Sequence, residues 1–207
     1  MSEHDTKVKA NHNDIEESCM KDYEELSEQD LRIQLAASYR LVEKLGWSYL
    51  IFGHLTARVP GPEKHFLINP YGLMYDEVTA SNLVKIDLEG NIVEPSDWEV
   101  NPAGFIIHSA IHSSKSNAHC VMHTHTNAGM AMAALKQGLI NIDFNGSAFH
   151  NKVAYHDFEG VTLRKDECKR IADDLGEKSI MILRNHGLLT AGSTVAESFM
   201  KLHLLES

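Results

Sequence analysis

Positive charge is scarce in this sequence: 19 Lys and Arg stand against 29 Asp and Glu, a formal net charge of −10. That balance argues against nucleic acid or an anionic membrane as main partner, because both are gripped through basic surface. Long apolar runs are also missing, and none approaches the roughly 20 residues that a membrane-spanning helix needs. The N-terminus lacks the basic and apolar segments of a secretory signal. Cysteine is rare. Cys19, Cys120 and Cys168 are widely spaced and match no disulfide or zinc-finger pattern, so a cytoplasmic, reducing setting is expected. What is present is a hydrophobic fraction of 43% over 207 residues, enough for one globular domain with a substantial core. Histidine is the excess: there are 13.

Taken in order, residues 1–26 are polar and acidic and are expected to form a disordered tail. Ser27 and Asp30 mark a helix start, Leu31, Leu35, Val42 and Leu45 recur at helical spacing, and Gly46 stops the run. Short strands are expected at Tyr49–Phe52, His54–Val59 and His65–Asn69, the last ending in the turn Asn69-Pro70-Tyr71-Gly72. Leu83–Leu88 and Ile92–Glu94 flank Glu89-Gly90-Asn91 as a hairpin. Helices are expected at Gly104–Ser114, Asn127–Lys136, Asp166–Leu175 and from Val195 onward. Between 138 and 163 the pattern is irregular, with strand candidates at Ile140–Asp143 and Lys152–Tyr155. Ser179–Leu183 and Leu188–Ala191 are strands on either side of Asn185-His186-Gly187. The helical pattern is still running at Ser207, so a further C-terminal element is expected.

The stretch from His119 to His125 has strand character, with Cys120, Val121 and Met122 apolar. Side chains two apart on a strand share a face, which places His123 beside His125. Two imidazoles so placed can share a metal ion, and catalytic zinc takes three protein ligands with one open position. Spacing alone leaves a second reading, two solvated histidines at a strand end.

A His-Thr-His strand followed by Arg184-Asn185-His186-Gly187-Leu188-Leu189 resembles the class II aldolase/adducin family. His54-Leu55-Thr56-Ala57-Arg58, Asn69-Pro70-Tyr71-Gly72 and Leu83–Val93 match further family segments in the same order, over roughly residues 28–207. The resemblance implies an α/β fold: a single domain with a mainly antiparallel central sheet and helices on both sides. It also implies a homotetramer and one divalent metal per chain, zinc first and Mn, Fe or Co next, held by His123, His125 and His186.

The departures point away from sugar phosphates. The family's catalytic glutamate falls at Gly104, its two phosphate-binding serines at Pro102 and Ala103, and its phosphate-binding asparagine at His54. Asn101–Phe105 with His108–His112 looks like the adducin branch of the family. Glu99 could replace the lost acid only by folding back. His108, one face-turn from His112, is a candidate proton carrier, and Arg58, Asn69 and Gly72 are candidate substrate contacts. The resulting expectation is a metal-dependent carbon–carbon lyase, of aldolase or decarboxylase type, for a small oxo- or hydroxy-acid. Its rival is a non-catalytic adducin-like module used for binding or assembly.

Overall fold

The computed structural model of the chain describes residues 22–140, 142, 144–160 and 166–207. Ser27 opens the first helix, α1 (Glu28–Lys44), as an N-cap whose hydroxyl accepts from the Asp30 amide. Asp30 returns the favour to the Ser27 amide, completing a capping box that satisfies two donors the helix end leaves open. Strands β1 (His54–Arg58), β2 (Phe66–Ile68) and β3 (Val84–Ile86) follow, then α2 (Pro102–Ser114), which starts on a proline that has no amide to lose. Next come β4 (Cys120–Thr124), α3 (Asn127–Ala134), α4 (Phe144–Ala148), β5 (Val153–His156) and α5 (Glu167–Leu175). The hairpin β6 (Ile180–Leu183) and β7 (Gly187–Gly192) leads to α6 (Val195–Glu206).

The seven strands form one sheet in the order β3-β2-β1-β4-β7-β6-β5. All neighbours are antiparallel except the β5–β6 pair. Strand alternation divides the core. Leu55, Ala57, Cys120 and Met122 face α1 and α6, while Val121, Leu189 and Ala191 face Ile107 and Ile111 of α2 and Ile171 and Leu175 of α5. The protein is thus a single α/β domain with helices on both faces, as the sequence leads one to expect.

One buried hydroxyl ties these layers to the centre of the sheet. Tyr39 of α1 is fully buried, and its OH meets the Leu55 carbonyl at 2.6 Å, the Leu55 amide at 2.8 Å and Asn69 Oδ1 at 2.8 Å. Removing it leaves the buried Leu55 backbone groups and Asn69 Oδ1 short of that partner, at about 1–3 kcal/mol. Tyr39→Phe should therefore lower the urea midpoint by that free energy without changing the slope. An unchanged midpoint would show that the network relaxes at no cost.

Several local expectations are corrected. Tyr49–Phe52 is not a strand but a tight turn closed by one bridge, with Leu50 at φ 53°. The second hairpin arm shrinks to the single bridge between Ile86 and Ile92. Residues 144–148 form the short α4 where only irregular chain was expected, and Ile140 and Ile142 lie outside any strand. Of the expected tail, residues 1–21 lie outside the described residues. Tyr23 and Leu26, however, are buried in the α1 core cluster, so the packed chain begins before Ser27. Their apolar side chains find a pocket that local composition does not reveal.

Candidate metal centre

His123 is the fourth residue of the central strand β4, directly paired with His54 on β1 and Leu189 on β7. His125 follows where β4 ends, before Thr126 caps α3. His186 arrives from the β6–β7 turn, where Asn185 takes the left-handed conformation (φ 56°) that asparagine tolerates better than most residues. Three separate backbone features thus deliver three imidazoles to one point. The Nε2 of His123 lies 2.7 Å from that of His125 and 3.3 Å from that of His186. One ligand atom from each lies within 4.8 Å of the others.

The donor set fits a divalent ion. His123 Nδ1 is 2.8 Å from the Leu188 carbonyl, which can only accept, so the ring proton sits on Nδ1 and Nε2 keeps its lone pair. Tetrahedral zinc at about 2.0–2.1 Å from each nitrogen would set them roughly 3.3–3.4 Å apart. The His123–His186 spacing already matches, the His123–His125 spacing must open from 2.7 Å, and the third pair lies within 4.8 Å. Burial, then the neighbouring imidazoles, hold His123 well below its ordinary pKa. Burial and His186 bring His125 down to about 4, and burial and His156 lower His186. All three are neutral at pH 7, the form that ligates.

Around this centre lies a second histidine group. His54 is buried, its ring 6.4 Å from that of His123 and nearly parallel to it. Asn101 Nδ2 donates to His54 Nε2 at 3.2 Å, leaving the proton on Nδ1, which has no partner among the described residues. The Gly104 substitution now has a physical reason. A Cβ on residue 104 would lie 2.4 Å from both Cδ2 and Nε2 of His54, so the imidazole occupies the space that a side chain there would need.

His108 and His112 of α2 are both buried, linked through Thr56 of β1. The Ala118 carbonyl takes the His112 Nδ1 proton (2.8 Å), so His112 Nε2 accepts from the Thr56 hydroxyl (2.8 Å). Thr56 then accepts from His108 Nδ1 (2.6 Å), which leaves His108 Nε2 bare, buried and without a partner among the described residues. Burial, then His54, depresses the His108 pKa strongly. Both ring nitrogens of His112 are thus held by protein groups, and the ring of His108 lies 5.9 Å from that of His54.

The remaining candidates fall elsewhere. Glu99 is exposed, and among the described residues its carboxylate makes no bond to these histidines; Asn101, two residues on, reaches His54 instead. The Arg58 guanidinium donates to the His112 carbonyl and lies 5.7 Å above the Phe66 ring, a packing role. Asn69 is buried against Tyr39, and Gly72 (φ 92°) sits in the turn after β2; no hydrogen bond among the described residues joins either to the three metal-site histidines. His156 is buried at the end of β5 and held by Asp174 at 2.7 Å. Sequence reading missed Thr56, whose role depends on β1 lying under α2. The contact of Asn101 with His54 has no local signal either.

An α/β domain whose central strand and two adjoining loops bring three neutral imidazoles together presents a candidate metal site. The family model for the class II aldolase and adducin N-terminal domain matches residues 33–207. The chain belongs to the class II aldolase/adducin family. It is 47% identical to alpha-adducin of Rattus norvegicus over 178 residues, which is 84% of this chain but 24% of that protein. Among solved structures, an aldolase II superfamily protein from Pseudomonas syringae shares 50% identity at a TM-score of 0.85, covering 87% of this chain and 73% of that one. An L-fuculose 1-phosphate aldolase from Glaciozyma antarctica shares 32% identity at a TM-score of 0.78, covering 86% and 70%.

Proposed function

We propose that this protein is a divalent-metal-dependent carbon–carbon lyase for a small oxo- or hydroxy-acid. The observation that carries the reading is the convergence of three Nε2 atoms with the His123 tautomer set by Leu188. A divalent ion bound by His123, His125 and His186 supplies Lewis-acid polarisation of a substrate carbonyl and stabilises the charge left when the carbon–carbon bond breaks. Zinc suits three imidazoles best, with Mn, Fe and Co as close competitors.

The chain's own residues narrow the reaction. Residue 104 offers no acid, and the ring of His54 excludes one. Aldol cleavage needs a base to take a hydroxyl proton, whereas a carboxylate leaves as CO₂ without one. Decarboxylation is therefore the favoured direction. The enolate left when CO₂ departs must take up a proton. His108, buried with its Nδ1 proton held by Thr56 and its Nε2 bare, is neither an exposed base nor a donor, so solvent supplies that proton. A phosphate needs hydroxyl and amide donors around it, and with an imidazole at His54 the donor set departs from that of a sugar-phosphate aldolase.

The segment from 41 to 52 carries an exposed apolar strip in sequence, Leu41, Leu45, Tyr49, Leu50 and Phe52; Tyr49 and Phe52 pack together, and Phe52 lies 6.4 Å from the His125 ring. The strip supports a homo-oligomer, a tetramer by family analogy, with each centre near a subunit boundary. The deciding experiment strips the metal, restores Zn²⁺ or Mn²⁺, and assays small oxo- and hydroxy-acids beside sugar phosphates. Turnover of the acids that disappears on chelation and returns with metal is the expected result. Turnover that survives chelation would sink the proposal, and a metal-loaded protein inert on every substrate would leave a binding module.

A further inference from the structure

His123 and His125 are held in different ways. The ring of His123 is fixed by its Nδ1 bond to Leu188. Among the described residues the ring of His125 has one hydrogen-bond contact, to its fellow ligand His123. Apart from ring packing against Phe52 and His186, its position therefore depends on the backbone of residue 125, where β4 has ended and α3 has not begun.

That backbone is anchored on both sides. The Thr124 hydroxyl donates to Glu206 Oε1 at 2.6 Å, and the Thr126 hydroxyl donates to Glu206 Oε2 at 2.7 Å. The Thr126 oxygen also accepts the Gly129 amide at 2.8 Å and so caps α3. A single carboxylate from the last turn of α6 thus straddles residue 125 and fixes the start of the next helix. Such charge-assisted bonds are short and roughly twice as strong as neutral ones. The alternation of β4 makes this workable: Thr124 points to the α6 side of the sheet while His123 points to the α2 side.

We propose that Glu206 is the positioning residue for His125, holding its imidazole in the metal-binding arrangement through the paired threonine hydroxyls. The role rests on the metal reading above. It differs from an ordinary outer-layer contact in acting on the ligand's backbone rather than its ring. Outer partners of metal ligands typically affect affinity by about 10–100-fold, and a ligand whose ring has no hydrogen-bond contact among the described residues beyond the histidine cluster depends on them most.

The test compares Zn²⁺ affinity, by competition with a chromophoric chelator, in the parent protein, Glu206→Ala, Glu206→Gln and Thr124→Val. Melting of the metal-free proteins is followed in parallel. Glu206→Ala should bind Zn²⁺ about 10–100-fold more weakly. Glu206→Gln, which keeps one acceptor oxygen, should recover part of that loss. Thr124→Val, close to isosteric, removes only one anchor and should show a smaller loss, and it carries the test if Glu206→Ala fails to fold. Equal Zn²⁺ affinity in all variants, with only the metal-free melting temperature lowered, would overturn the role of Glu206 and leave it a structural cap. A parent that binds no Zn²⁺ would instead overturn the metal reading, and this inference with it.

Discussion

His186→Ala should emerge from purification without the divalent metal that the parent retains at about one equivalent per chain. The ring is only half-buried, so its loss leaves no sealed cavity and the fold should stand. What disappears is one of three ligands. Because even outer partners are worth about 10–100-fold in affinity, loss of a direct ligand should exceed ~100-fold. Stability gives a second readout. A ligand present at about 100 times its dissociation constant stabilises the native state by roughly 2.7 kcal/mol, so added Zn²⁺ should raise the parent's melting temperature and leave His186→Ala unmoved. Elemental analysis of the two proteins side by side is the primary measurement. Equal metal in both would place the ion elsewhere.

Gly187→Ala should be more damaging still, although it adds a single methyl. A Cβ at residue 187 would lie 2.3 Å from the Thr124 carbonyl oxygen, and 3.1 Å from both His123 Cε1 and His125 Cδ2. The carbonyl belongs to β4, whose register against β7 pairs Thr124 with Leu188. It cannot retreat without opening that ladder, and the two imidazole carbons cannot retreat without spreading the metal ligands. Overpacking of this kind costs about 1–3 kcal/mol and more where backbone must move. We expect the upper end, together with loss of tight Zn²⁺ binding. Denaturant unfolding and metal titration on the same preparation check both effects. A variant with parental stability and affinity would mean that β7 shifts freely, contrary to its position in the middle of the sheet.

Much of the fold was legible because its signals are local. The Ser27–Asp30 cap and the Leu31, Leu35 and Val42 stripe specify α1, and the apolar runs flanked by polar residues specify β4, β6 and β7. Period-two alternation put His123 and His125 together, and the family resemblance added His186. Tyr49–Phe52 misled because four apolar residues look like a strand whether or not a partner strand is beside them. In the fold they make a turn with three of the four exposed, Ile51 being half-buried. Likewise Tyr23 and Leu26 sit in an acidic stretch, and only the groove they fill shows why they are ordered.

The sequence by itself determined the family and, through that resemblance, the class of fold, because the family's motifs stand in order along the chain, and it supplied the side chains of the candidate metal site. Only the tertiary structure decided which histidines are neutral donors and which are acceptors. It did so by placing Leu188 beside His123, Thr56 between His108 and His112, and Asn101 against His54. It also turned Gly104 from a missing acid into the space beneath the His54 ring, and brought Glu206 across 80 residues to brace His125. These are long-range contacts, set by how strands pair and helices dock, and no local spacing encodes them.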